Sequence, residues 1–286
     1  MKILIMPNSI KQINSLINDI DGVIVGLDKL CMNMPYNFNL DEIKEIINIC
    51  NSNNKEVFIS LNKNMHNKDI SYLKEIMLKI EKLNVTGILY YDIALVNIKD
   101  ELKLNTPLVW NQEHLTTNYL TSNYWYEEGA IYTYLSSEIT IDEINEISKN
   151  SKSKTMVTMF GYLPMFVSRR HLVKNYLETF NLSDNSKINY IFKEDKMYQI
   201  IDTEDGTIAY SEKILNGLSE IFRIRTDYIV LNSFSIDDNI FSEVVYMFKN
   251  VNEDNILEYN GRINSMLDTD LGFLYKETIY RVKNNE

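Results

Sequence analysis

Four side chains capable of proton transfer or anion binding fall in two short stretches of the sequence. Glu113 and His114 follow the apolar run PLVWN, while Arg169 and Arg170 end the run GYLPMFVS. A buried carboxylate can have a pKa near neutrality and imidazole titrates there already, so either group suits general acid or base catalysis. A guanidinium can clamp a carboxylate or phosphate. These stretches predict catalysis by Glu113 and His114 beside an anion-binding arginine.

Both pairs also have a simpler explanation. Adjacent side chains of a strand point to opposite faces, so only one of Glu113 and His114 can face a site, and we favour Glu113. The pair could equally lie on the surface. The arginines could form salt bridges with some of the 40 acidic residues instead of binding a ligand.

Further polar residues each follow an apolar run that predicts a strand. We assign substrate binding to Asp28, Asn62, Asp92, Gln112, Arg169 and Arg170. The same property is shared by Asn8, Asn111, Ser136, Glu138, Ser168, His171 and Asn232. In a barrel of parallel strands the carboxyl ends meet at one mouth, so these side chains should converge. Solvated loop residues would look the same, so the prediction is stronger for the group than for any member.

The elements that must position these residues alternate between short apolar runs and segments of helical period. This order predicts parallel strands covered by helices. Eight such pairs favour a closed, TIM-like (β/α)8 barrel with some irregularity over an open doubly wound sheet. The predicted strands are Lys2 to Met6, Gly22 to Leu27, Glu56 to Leu61, Gly87 to Tyr91, Pro107 to Trp110, Ala130 to Leu135, Thr155 to Phe160 and Asp227 to Leu231.

An excursion between the seventh and eighth strands predicts an inserted hairpin. Residues 189–194 and 197–203 have strand character, and Glu204, Asp205 and Gly206 form a turn signal. The barrel domain should span residues 1–250. Residues 251–286 should form a C-terminal appendage packed on the barrel, with a terminal strand around 273–280.

Composition and charge exclude several function classes. The net charge of −11 disfavours direct binding of nucleic acid. No run approaches the roughly 18 apolar residues of a membrane span, and the apolar start is too short for a signal peptide. We therefore expect a cytoplasmic protein that does not contact membranes.

The few cysteines and histidines predict no metal site and no cofactor. Cys31 and Cys50 form no CxxC pair, and the three histidines occur in no HExxH motif. Cys50 lies on the apolar stripe of a predicted helix and should be a core residue. Cys31, in the loop after the second strand, remains a minor candidate for a nucleophile.

Five stretches in colinear order carry a family resemblance over about residues 1 to 250. Four are DGVIVGLDKLCMNMPYNFNLDEI, LNVTGILYYDIAL, PLVWNQEHLTTN and DTEDGTIAYSEKILNGLSEIFRIRTDYIVLN, and the fifth is FGYLPMFVSRRHLVKNYL. Together they resemble the collagenase-like peptidase family U32. The fifth stretch is similar to the family signature of Gly, Cys, Ser and Cys before an Asn-Tyr-Leu helix. Gly161 and Ser168 match, but Pro164 and His171 stand at the cysteine positions.

The resemblance implies two alternative functions. In relatives active in tRNA uridine hydroxylation and ubiquinone synthesis, cysteines of this region hold an iron–sulfur cluster, a role that does not transfer to this chain. The resemblance thus implies an accessory or ligand-binding subunit, free of the signature cysteines, beside a cysteine-bearing paralogue in a tRNA-hydroxylation system that draws on prephenate. The paralogue would bind the RNA, while Arg169 or Arg170 holds a small anionic ligand. The family label implies the alternative, a peptidase-type hydrolase in which Glu113 activates water.

Overall fold

Eight parallel strands close into a barrel in the computed structural model, which describes residues 1–112, 115–184 and 186–276. Strand β12 pairs in parallel with β1 on one side and with β8 on the other, which closes the ring and confirms the predicted (β/α)8 barrel. The strands are β1 (Lys2–Met6), β2 (Gly22–Leu27), β3 (Asn37–Phe38), β4 (Glu56–Leu61), β5 (Gly87–Tyr90), β6 (Leu108–Asn111), β7 (Tyr132–Tyr134), β8 (Lys154–Ser168), β9 (Asn189–Lys193), β10 (Lys196–Thr203), β11 (Gly206–Asn216), β12 (Tyr228–Asn232) and β13 (Thr269–Asp270). The ring consists of β1, β2, β4, β5, β6, β7, β8 and β12.

Helices flank the barrel strands, except for one short helix that packs on β10 and β11. They are α1 (Ile10–Leu16), α2 (Leu40–Ser52), α3 (Ile70–Glu81), α4 (Ala94–Leu102), α5 (Tyr119–Glu127), α6 (Ile141–Asn150), α7 (Leu172–Thr179), α8 (Asp238–Asn250) and α9 (Ile256–Met266). Asn39 and Thr140 begin α2 and α6 with capping boxes, in which the third helical residue, Glu42 or Glu143, bonds back to the cap. Among the described residues, no helix is long and apolar enough to cross a membrane.

Buried side chains fill the interior of the barrel. Leu4, Ile24, Leu89 and Val230 belong to one buried cluster inside the ring. Phe58 meets Tyr132 edge to face in the same cluster, with ring centroids 5.3 Å apart. A larger cluster lies between the strands and the helices. Because the interior is packed, only the carboxyl ends of the strands leave room for a site.

The inserted segment is larger than the predicted hairpin. Strands β9 and β10 lie where a hairpin was predicted, and the turn at Glu204 and Asp205 is confirmed. The sequence interpretation missed two features: β8 continues to Ser168, and β11 pairs antiparallel with that extension. The result is an antiparallel sheet in the order β8, β11, β10, β9, with α7 against β10 and β11.

Two contacts hold this sheet beside the barrel mouth. Ile208 and Tyr210 of β11 pack with Met32, and the Tyr210 ring stacks on Phe234 at a centroid distance of 4.2 Å. An ion pair links Lys63, which follows β4, to Asp205. We call residues 161–216 the insert. The insert therefore contacts the barrel both through apolar side chains and through an ion pair.

The C-terminal segment differs from the sequence interpretation. Residues 256–266 form α9, which was not predicted, and β13 pairs with β11. Residues 272–275 form a turn where a terminal strand was predicted, and the rest of that prediction lies outside the described residues. Ile263 of α9 is buried in the main core. The division of the chain at residue 250 stays a prediction.

Candidate functional site: the barrel mouth

Asparagine side chains from several strand ends line the barrel mouth. Asn62 directly follows β4, Asn111 is the last residue of β6 and Asn232 is the last residue of β12. A cavity of about 190 Å³ lies among Asn62, Asn111 and neighbouring loop residues. An adjoining cavity of about 30 Å³ reaches Asn232 and shares Asn62 and Asn111 with the larger one. The strand-end rule thus brings together these three of the predicted residues.

Asn111 presents an acceptor that no donor of the described residues reaches. Its side chain is 4% exposed, and its Oδ1 finds no hydrogen-bond donor among the described residues. A buried, unsatisfied acceptor costs about 1–3 kcal/mol. Since Asn111 lines both cavities, a ligand that donates a hydrogen bond there would remove this cost.

Asn62 and Asn232 hold neighbouring loops in place. Asn62 Oδ1 accepts a hydrogen bond of 2.9 Å from the Met32 backbone N–H. Asn232 Oδ1 accepts one of 2.9 Å from the Phe234 N–H. Each of these oxygens accepts one loop hydrogen bond, and the Nδ2 groups of the same amides can donate to a ligand. The three asparagines therefore offer both donors and acceptors to a polar molecule.

Arg169 supplies the charge of the mouth. It is half-buried, lines the larger cavity and donates through Nη1 to the Asn64 carbonyl. Among the described residues that line the two cavities, it alone is charged. A guanidinium has five N–H donors, so further donors remain for an anion. Arg170 is exposed and does not line either cavity, which separates the two arginines.

The predicted carboxylates lie beside the mouth without lining these cavities. Asp92 accepts hydrogen bonds from the Met65 N–H at 2.8 Å and the Ala94 N–H at 2.9 Å, so both oxygens organise loops. Asp28 is half-buried at the end of β2. Gln112 is half-buried next to Asn111. The substrate-binding role assigned to these residues stays a prediction, and the catalytic pair Glu113 and His114 lies outside the described residues.

Both cysteines are buried thiols. Cys31 is 1% exposed and donates to Asn37 Oδ1 at 3.2 Å. Burial, together with the nearby Asp28 and Asp205 carboxylates, raises the pKa of the Cys31 thiol far above its ordinary value. Burial also raises the pKa of Cys50 to about 12. Neither thiol ionises at neutral pH, which disfavours Cys31 as a nucleophile.

The residues present do not fit an iron–sulfur cluster. Such clusters are held by about four cysteine thiolates, whereas this chain has two cysteines, one after β2 and one within α2. At the signature positions, Pro164 lines the smaller mouth cavity and His171 occupies the N-cap of α7. The signature segment therefore shapes the mouth and begins a helix in this protein.

Sequence reasoning missed several mouth residues. Tyr134 ends β7 and its hydroxyl is 2.9 Å from Thr158 Oγ1 on β8, and both side chains line the smaller cavity. Asn33 lines both cavities from the loop after β2. Thr158 interrupts the apolar run TMVTMF, which was the available signal. Nothing in the sequence distinguished Asn33 from other loop asparagines.

Comparisons with known proteins agree with the resemblance. The tRNA hydroxylation protein P2 of Bacillus subtilis is 25% identical over 307 residues, covering 98% of this chain and 99% of that protein. The tRNA hydroxylation protein P1 of the same organism is 21% identical over 141 residues, covering 49% of this chain and 33% of that protein. A solved U32 peptidase aligns with a TM-score of 0.48 at 13% identity over 56% of this chain and 69% of that one. The sequence model of the family described as peptidase family U32 matches residues 9–254 of this chain. The chain therefore belongs to that family.

Proposed function

We propose that this chain is an accessory subunit of tRNA uridine hydroxylation that lacks the signature cysteines and binds a small anionic ligand in its barrel mouth. The observation that carries the proposal is the end-to-end match to a tRNA hydroxylation protein, which leaves almost no part of either chain unaligned. Cytoplasmic location is part of the proposal, since tRNA is modified there in bacteria.

The mouth supports ligand binding through neutral amides and one cation. Arg169 would pair with a carboxylate or phosphate of the ligand, and Asn111 Oδ1 would accept a hydrogen bond from a ligand hydroxyl. The amides of Asn62 and Asn232 would orient the remaining polar atoms. These are positioning and binding roles for the four residues.

A partner subunit would bind the RNA and hold the iron–sulfur cluster. The net charge of −11 opposes the phosphate backbone, and the cysteine content does not provide a cluster. A cysteine-bearing paralogue of the same family would supply both. This division of roles explains how the two signature cysteines could be replaced while the rest of the barrel was retained.

Gene replacement in the native host tests the proposal. Deletion should remove hydroxylated uridine from tRNA, measured by mass spectrometry of tRNA nucleosides. Wild type and Arg170→Gln should restore it, whereas Arg169→Gln should not, because only Arg169 lines the mouth. Unchanged hydroxylation after deletion would contradict the function, and full rescue by Arg169→Gln would contradict the binding site.

A further inference from the structure

The insert exposes an unusual amount of apolar surface. We define the insert surface as Phe166, Tyr176, Phe180, Leu182, Ile191 and Phe192. The most exposed of these, Phe192, has 72% of its surface accessible and the least exposed, Ile191, has 45%. Large apolar side chains that are this exposed favour burial against another protein.

Helix α7 contributes an apolar face that the described chain leaves largely uncovered. It has eight residues, and none of them is buried. A cavity of about 530 Å³ separates it from β9 and β10 and is lined by Leu172, Leu177, Tyr190 and Ile200, among others. Tyr176 and Phe180 contact each other at a ring-centroid distance of 4.8 Å, and both remain more than half exposed. An isolated helix of this length is marginal in water, so its surroundings must stabilise it.

Strand β9 is an open edge. Among the described residues it pairs with β10 alone, which leaves the backbone groups of its outer edge without a strand partner. Ile191 and Phe192 are adjacent and point to opposite faces, so a partner strand added at this edge would meet an apolar side chain on either face. Exposed apolar edge strands are ordinarily covered or charged.

The surface is large enough for a stable complex. Aromatic side chains offer about 150–250 Å² each, so six large side chains at roughly half exposure supply on the order of 500 Å². The exposed neighbours Met165, Tyr190 and Met197 extend this area. One partner contributes about 800 Å² to a standard interface, so these side chains supply the larger part of one.

Charge favours a different chain over a second copy. Basic and acidic side chains nearly balance within the insert, so most of the net charge of −11 belongs to the barrel. Two copies joined at the insert would bring two strongly acidic barrels together, which is unfavourable. A less acidic or basic partner would meet no such repulsion.

We propose that the insert surface is the docking site for the cysteine-bearing family partner, which would cover it with an apolar surface of its own and extend the sheet at β9. This inference rests on the proposed function and specifies where the two subunits meet. The occupant is a protein with an apolar, non-acidic contact surface.

The test measures binding between the purified full-length chain and its cysteine-bearing paralogue from the same genome. The double variant Ile191→Ser/Phe192→Ser should weaken binding by at least about tenfold, since buried apolar anchors carry most of the binding energy. Leu257→Ser is the matched control, because Leu257 is 84% exposed and lies on α9. Both variants alter exposed side chains, so thermal unfolding should stay close to wild type. Hydrogen exchange of the β9 amides should slow when the partner is added.

The possible results distinguish a wrong docking site from a wrong proposed function. Wild-type binding with an unaffected double variant and no β9 protection would overturn the docking site and leave the proposed function standing. Failure of the wild-type chain to bind the paralogue would overturn the docking site and the partner role together. A wild-type homodimer that the double variant dissolves would show that a second copy occupies the surface, which also overturns the proposal.

Discussion

Lys63 and Asp205 join the barrel to the insert, with Lys63 Nζ 2.8 Å from Asp205 Oδ1. The lysine side chain is 8% exposed and the aspartate 20%, so water screens this pair poorly. Removing one partner of a mostly buried pair leaves an uncompensated charge.

We expect Asp205→Asn to lower the free energy of unfolding by roughly 2–4 kcal/mol, because it leaves the Lys63 ammonium buried without its counter-ion. Denaturant unfolding measures the loss. The double variant Lys63→Met/Asp205→Leu should recover most of it, since neither charge then remains. Equal losses in the single and double variants would show that the pair does not act as a unit.

Asn111→Leu should stabilise the ligand-free protein while abolishing its function. Replacing the unsatisfied Oδ1 by an apolar group of similar size removes a buried polar penalty of about 1–3 kcal/mol. We expect a higher melting temperature together with the loss of hydroxylated uridine in complemented cells. Destabilisation by Asn111→Leu would mean that the amide is satisfied in the free protein, and would remove the argument for a ligand donor.

Gly161→Ala should be strongly destabilising. Gly161 has φ +123°, and a Cβ at this position would lie 2.8 Å from both the Cβ and the carbonyl oxygen of Asn232. Backbone strain and overpacking together should cost about 2–4 kcal/mol, measured by thermal unfolding. Gly261→Ala is the control, because among the described residues no atom beyond its chain neighbours and the backbone of its own helix lies within 4 Å of the added Cβ. Within helix α9 that change should stabilise the protein by about 0.5–1 kcal/mol, the opposite sign.

Glu81 should make stability depend on pH in the acid range. Burial alone would raise its pKa, but hydrogen bonds from Thr106 and Asn105 outweigh this and lower the pKa to about 2. Because the folded pKa lies below the unfolded value of 4.5, the contribution is complete above pH 4.5 and disappears as the pH falls toward 2. Glu81→Gln should therefore lose stability at pH 7 and show a flatter profile between pH 4.5 and 2.

The control for this prediction is Glu45→Gln, a change at an exposed carboxylate on α2. Urea unfolding at several pH values provides the comparison. If the stability of Glu81→Gln fell between pH 4.5 and 2 as steeply as that of the wild type, the acid sensitivity would belong to other groups.

Strand positions could be predicted well because buried parallel strands are continuous apolar runs. Strands β1, β2 and β4 begin and end at the predicted residues. The continuation of β8 past Phe160 was missed because GYLPMFVS contains a glycine and Pro164, and its pairing with β11 is distant in sequence. Helix α9 was missed because its segment is rich in Asn and Glu and buries only Ile263.

The sequence predicts which residues lie at the barrel mouth, but not which way their side chains point. The strand-end rule found Asn62, Asn111 and Asn232, which line the cavities. It also nominated Asp92, whose oxygens bond to loop N–H groups that only the folded chain brings near. Arg169 and Arg170 are adjacent and identical in type, so the sequence could not tell which one turns toward the cavity.

Strand β8 runs unbroken for 15 residues, and it serves the barrel with its first half and the insert with its second. Val167 near its far end and Arg169 just beyond it line the mouth cavity. A tilt of the insert would therefore move part of the cavity wall. If partner binding produces such a tilt and changes ligand affinity, ligand binding must change partner affinity by the same factor.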